Sequence, residues 1–96
     1  MELFIFARFH AGEGQEAATA AVLRTQIARV RTEPGCLAIE VFGAVRDPRL
    51  FYIHSRWSDA AAFEAHAERP GTTEFLERME RLCDQRREVT RAVPLG

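Results

Sequence analysis

Leu50-Phe-Tyr-Ile-His-Ser-Arg-Trp57 alternates strictly, with Phe51, Ile53, Ser55 and Trp57 on one side of an extended chain and Leu50, Tyr52, His54 and Arg56 on the other. Alternation of branched and aromatic residues predicts a strand with one face turned to a core. Cys36 to Val45 is a second strand-like run, and the polar Arg46-Asp47-Pro48-Arg49 between the two has turn chemistry, so they pair as a hairpin. Towards the N-terminus, Leu3 to Phe9 is a third such run, closed by a loop from His10 to Gly14. Gln15 to Thr32 is alanine-rich and sets Val22, Leu23, Gln26, Ile27 and Val30 on one stripe, with Arg24, Arg29 and Arg31 outside it. That is an amphipathic helix, stopped by Glu33-Pro34-Gly35. Beyond Trp57, Ser58 or Asp59 caps a short helix through Ala67, broken at Pro70-Gly71. A second piece runs from Thr72 with Phe75, Met79, Leu82 and Cys83 on one face. Arg86 to Val93 is a fourth, polar, edge-like strand.

The order β-α-β-β-α-β predicts an α+β, ferredoxin-like domain spanning 1–96: a four-stranded antiparallel sheet with its helices on one face. Leu3, Ile5, Ala7 and Phe9, with Leu37, Ile39 and Val41 and with Phe51, Ile53, Ser55 and Trp57, form a nearly pure apolar set for the helix-covered face. The opposite parity gives Phe4, Phe6, Arg8 and His10 with Ala38, Glu40 and Phe42 and with Leu50, Tyr52, His54 and Arg56. An uncovered face this aromatic predicts a partner surface. The simplest partner is a second copy, sheet against sheet, with Arg8, Glu40, His54 and Arg56 pairing as a charge cluster at the seam.

Composition excludes several classes. The chain is 47% apolar and 28% charged with a net charge of −1, a balance suited to a globular domain and not to a disordered tail or a nucleic-acid binder. Glu74/Arg78 and Glu77/Arg81 stand at i,i+4 spacing, so the arginine-rich C-terminal third reads as a solvated ion-pair face. No apolar run approaches the roughly 20 residues that cross a bilayer, and the N-terminus lacks signal-peptide order, which predicts a cytoplasmic protein. Cys36 and Cys83 show no metal or disulfide spacing and read as reduced, buried thiols.

The run from Phe51 to Trp57, continued by Ser58-Asp-Ala-Ala-Ala-Phe63-Glu-Ala-His66 and preceded by Glu33-Pro-Gly-Cys-Leu37, resembles the antibiotic biosynthesis monooxygenase family of dimeric α+β barrels. The resemblance spans nearly the whole chain. It implies a homodimer that oxidises a quinol, an anthrone or a similar polyketide-like phenol with molecular oxygen, without metal or other cofactor. Two positions depart from the family's habit: Ser55 stands where a Glu is common, and Gly71 where a second His is frequent. The heme-degrading branch would need an Asn, a Trp and a His where this chain has Ala7, His66 and the neighbourhood of Phe75 and Leu76, so heme chemistry is not expected.

A cofactor-free oxygenase needs a dry aromatic pocket and one base. His66 is the candidate base, since imidazole titrates near operating pH. Trp57 is the candidate wall, its indole N–H or the Ser55 hydroxyl meeting a developing oxyanion. Phe9, Phe63, Phe75 and Met79 complete the expected lining. The competing expectations are a His66 bonded to Glu64 or Glu68, and a dimeric small-molecule-binding or stress-associated protein without turnover. An enzyme predicts a pocket reaching Trp57 and His66; a scaffold predicts both packed solid.

Overall fold

The computed structural model describes residues 1–96. Strand β1 (Leu3–His10) leads through a loop to helix α1 (Glu16–Val30), followed by strands β2 (Cys36–Gly43) and β3 (Leu50–Trp57), helices α2 (Ala60–Glu68) and α3 (Pro70–Leu82), and strand β4 (Glu88–Ala92). The sheet is antiparallel in the order β2-β3-β1-β4, the ferredoxin-like arrangement that the alternation predicts. No helix is long and apolar enough to cross a membrane.

Local chemistry explains the boundaries. Asp59, not Ser58, caps α2, its Oδ1 accepting the Ala62 N–H at 2.8 Å. The helical break lies at Arg69 rather than after Gly71: Pro70 forces Arg69 into an extended conformation and itself starts α3, where a missing N–H costs nothing. In the β2–β3 turn, Asp47 Oδ1 accepts the Arg49 N–H at 3.0 Å, and β2 ends at Gly43, short of Val45.

The helix-covered face buries Ile5, Ala7, Phe9, Ile39, Phe51, Ile53, Ser55 and Trp57, with Leu23, Ile27 and Val30 of α1 and Phe63, Phe75 and Met79 of α2 and α3 opposite them. Leu37 is the exception, at 45% exposed. The register shifts between Cys36, opposite Trp57, and Ala38, opposite Arg56, so Leu37 is the extra bulge residue and turns out to solvent. Both thiols are free and half-buried, rather than fully buried.

On the other face Phe6, Phe42 and Tyr52 stay substantially exposed, and Phe4 and Phe6 flank the His54 ring. Arg8 turns to Gln85 and Glu88, Arg56 to Glu2, and Glu40 has no ion-pair partner. The Glu74/Arg78 and Glu77/Arg81 pairs do not close either, as expected where two solvated side chains gain little from meeting. His10 shares the parity of this face and yet is only 6% exposed. Asp84 lies 2.6 Å from its Nδ1 and Asp47 3.1 Å from its Nε2, carried there by the α3–β4 connection and the β2–β3 turn.

Candidate active site

The site begins at a turn. Gly35 adopts φ 81°, and a Cβ there would lie 2.4 Å from the Ala62 Cβ and 2.9 Å from the Ser58 Oγ. Only glycine supplies that backbone and that closeness, so the Glu33-Pro34-Gly35 turn seats directly on the start of α2. Ser58 N–H donates to the Gly35 carbonyl at 2.9 Å across the same contact.

This approach carries Glu33, whose side chain is 3% exposed, to His66 on α2. Its Oε1 accepts from His66 Nδ1 at 2.8 Å, with Arg69 Nε at 3.3 Å, while Oε2 takes Arg29 Nη1 at 3.1 Å. Three cationic or donor groups thus surround one buried carboxylate, the compensation its burial demands. The partner of His66 is therefore Glu33 and neither Glu64 nor Glu68. Because a carboxylate only accepts, Nδ1 carries the hydrogen, and Nε2 is left with its lone pair and no protein partner.

His66 borders a cavity of about 220 Å³ between the sheet and helices α1, α2 and α3. Phe9, Ser55, Phe63 and Phe75 line it as expected; Ile5, Ile39, Ile53 and Leu76 add apolar wall, and Gln26 and Thr72 add polar groups. Two expected lining residues stand outside it. Met79 is 1% exposed and belongs to the packed core, and Trp57, fully buried, lies behind the lining. Trp57 braces it instead, its ring 4.8 Å from His66 and 5.8 Å, edge-on, from Phe63. Its indole N–H donates to Ser55 Oγ at 3.0 Å and is not free for an oxyanion. On its other side His66 borders an outer cleft of about 400 Å³ over the Pro34-Gly35 turn, so the imidazole stands in the wall between interior and surface.

The two departures from the family's habit are structurally coupled to their surroundings. Ser55 Oγ accepts the Trp57 indole N–H. At Gly71, a Cβ would lie 2.9 Å from Cζ and Nη1 of Arg29, so a side chain there would require the Arg29 guanidinium, which bonds Glu33, to shift. No group of three or more His, Cys, Asp and Glu side chains is arranged to hold a metal ion.

Sequence reasoning missed Glu33, which reads as a helix stop, and passed over Gln26, although a glutamine on an apolar stripe is itself a signal.

Residues 3–78 match the family model for antibiotic biosynthesis monooxygenase. No curated protein matches the chain. Among solved structures, PA3566 from Pseudomonas aeruginosa is 29% identical, with a TM-score of 0.89 over 99% of this chain and 95% of that one. Rv0793 from Mycobacterium tuberculosis superposes with a TM-score of 0.92 at 22% identity, covering 100% of this chain and 97% of its own. SnoaB, described as a cofactor-independent oxygenase from Streptomyces nogalater and solved in a mutant form, gives 0.88 at 17% identity over 99% and 94%. The latter two likenesses establish a shared fold.

Proposed function

The chain belongs to the antibiotic biosynthesis monooxygenase family, and from that premise we propose that it is a cofactor-independent monooxygenase acting on a small electron-rich aromatic, a quinol, anthrone or polyketide-like phenol. One observation carries the reading: a histidine whose Nδ1 is fixed by a buried glutamate and whose Nε2 has no protein partner borders an apolar cavity. Nε2 removes a proton from a phenolic hydroxyl or an activated methylene, and the resulting anion reduces oxygen by one electron. The radical pair recombines and the peroxide collapses. For an anthrone-type methylene the balance is CH2 + O2 → C=O + H2O, with no outside reductant. Phe9, Phe63 and Phe75 give the reacting carbon an apolar surround, with Arg87 and Val89 at the exposed side of the cavity. The size suits a compact ligand: a cavity of about 150 Å³ is known to hold benzene, and this one measures about 220 Å³.

In this reading His66 is the base, Phe9, Phe63, Phe75 and Ser55 contact the substrate, and Trp57 and Met79 support them from behind. The test is oxygen uptake above autoxidation with a panel of hydroquinones and anthrones, in wild type and in a folded His66→Ala variant. Uptake that falls in the variant supports the oxygenase. Binding of panel members without uptake would favour a small-molecule-binding protein.

The aromatic open face supports a homodimer in which two sheets pack together through Phe4, Phe6, Phe42 and Tyr52, with Arg8, Glu40, His54 and Arg56 around them. Sedimentation at micromolar concentration is expected to give twice 10.9 kDa, falling to the monomer in Phe6→Glu. A wild-type monomer would refute this interface.

A further inference from the structure

Gln26 is 6% exposed in the middle of α1, on a stripe whose other buried members are Leu23, Ile27 and Val30. A buried primary amide needs partners at both ends. Its Oε1 accepts from Arg29 Nη2 at 2.8 Å. A guanidinium only donates, so this contact fixes which end of the amide faces outward to Arg29. The amide nitrogen, with two N–H donors, has no acceptor in the protein and is not sealed from open space; Gln26 lines the cavity that His66 borders and, on its other side, a pocket beside Arg29 and Gly71.

We infer that Gln26 is the substrate-orienting donor of this cavity, and that the ligand it selects carries a carbonyl or phenolate oxygen conjugated to the carbon that reacts. The inference rests on the oxygenase reading and deepens it. One guanidinium sets both ends of the site: Arg29 Nη2 holds Gln26, and Arg29 Nη1 holds Glu33, which in turn holds His66. A substrate whose oxygen sits on the Gln26 amide presents its acidic proton to His66, and the charge left by proton removal spreads onto the oxygen that Gln26 already holds. A donor placed where charge develops favours the transition state over the ground state. Gly71 gives the Arg29 guanidinium room, since a Cβ there would come within 2.9 Å of it.

The experiment uses 1-indanone and indane, a ketone and its matched hydrocarbon, titrated calorimetrically into wild type, Gln26→Leu and Gln26→Glu. Leucine removes the amide and stays apolar. Glutamate keeps the shape and the bond to Arg29 and loses the donor. The ketone-to-hydrocarbon affinity ratio is expected to fall about five- to tenfold in both variants, the worth of one hydrogen bond, with indane binding in Gln26→Leu retained. An unchanged ratio in both variants, with indane still bound, would overturn the role of Gln26 and leave the cavity reading standing. Failure of wild type to bind either compound would overturn both.

Discussion

Two histidines meet carboxylates at opposite ends of the sheet, His10 buried and His66 partly buried, and their ring nitrogens are engaged differently. His10, at the end of β1, has a carboxylate oxygen on each ring nitrogen, Asp84 at 2.6 Å and Asp47 at 3.1 Å. It ties three segments together and has nothing left to offer. His66, on α2, has one carboxylate, on Nδ1, and its Nε2 is unclaimed beside a cavity. Burial and a carboxylate partner therefore do not distinguish a reactive imidazole from a structural one. The spare nitrogen does, together with somewhere for a substrate to sit.

The contrast breaks most visibly in turnover. His66→Ala is expected to lower oxygen uptake about 10²–10⁴-fold, the usual contribution of a general base, whereas His10→Asn leaves the rate per folded molecule near wild type and lowers Tm. Equal losses of rate in the two variants would dissolve the distinction. Glu33→Gln keeps the shape of the His66 partner and removes its charge. Such supporting residues are worth about 10–100-fold, so kcat should drop by that order with KM nearly unchanged; a loss confined to Tm would reduce Glu33 to a structural residue.

Gly35→Ala attacks the turn that delivers Glu33. The left-handed φ and the clash with Ala62 together predict a destabilisation of about 2–4 kcal/mol by chemical denaturation. A cost near zero would mean the turn can shift without penalty.

The His10 end answers to acid. Hydrogen bonding to His10 holds the Asp84 carboxyl below its ordinary 3.8, and the Arg49 backbone N–H, with smaller help from His10, does the same for Asp47. A folded-state value below the unfolded one means that the stabilisation is complete above pH 3.8 and is lost as the pH falls through the lower folded values. Wild-type Tm should therefore drop more steeply below pH 4 than that of Asp84→Asn, with the two curves parallel at neutral pH; parallel curves throughout would remove the latch. The smallest effect concerns the neighbouring Cys83, whose thiol burial pushes above its usual value. Its alkylation at pH 8 should be slower than that of a free thiol and should quicken in Asp84→Asn, which removes an adjacent charge and loosens the connection.

Much of the scaffold is legible in the sequence because alternation and punctuation are local. Phe51, Ile53, Ser55 and Trp57 declare their face without reference to any other segment, and Pro70 and Gly35 mark breaks by their own backbone chemistry. Parity fails where a second segment intervenes. Leu37 leaves its face because of a bulge against β3, and His10 leaves the open face because the Asp47 turn and the Asp84 connection cover it. The site is partly legible for the same reason. His66, Ser55 and three of the phenylalanines stand out as residue types, but the Glu33 contact joins positions far apart in the chain, and nothing local in Glu33-Pro34-Gly35 distinguishes a buried ligand of histidine from a helix stop. Trp57, placed by type as a wall, is fully buried just outside the cavity lining with its indole bonded to Ser55, a contact between residues whose individual patterns carry no sign of it.

The difference between the two imidazoles can be read directly from their side-chain nitrogen signals by NMR while 2-naphthol is titrated into the protein at neutral pH. The His66 Nε2 resonance is expected to shift saturably as the ligand binds, with both His10 nitrogens unmoved. Saturable binding that leaves His66 Nε2 unchanged would contradict its role as the open base of the cavity.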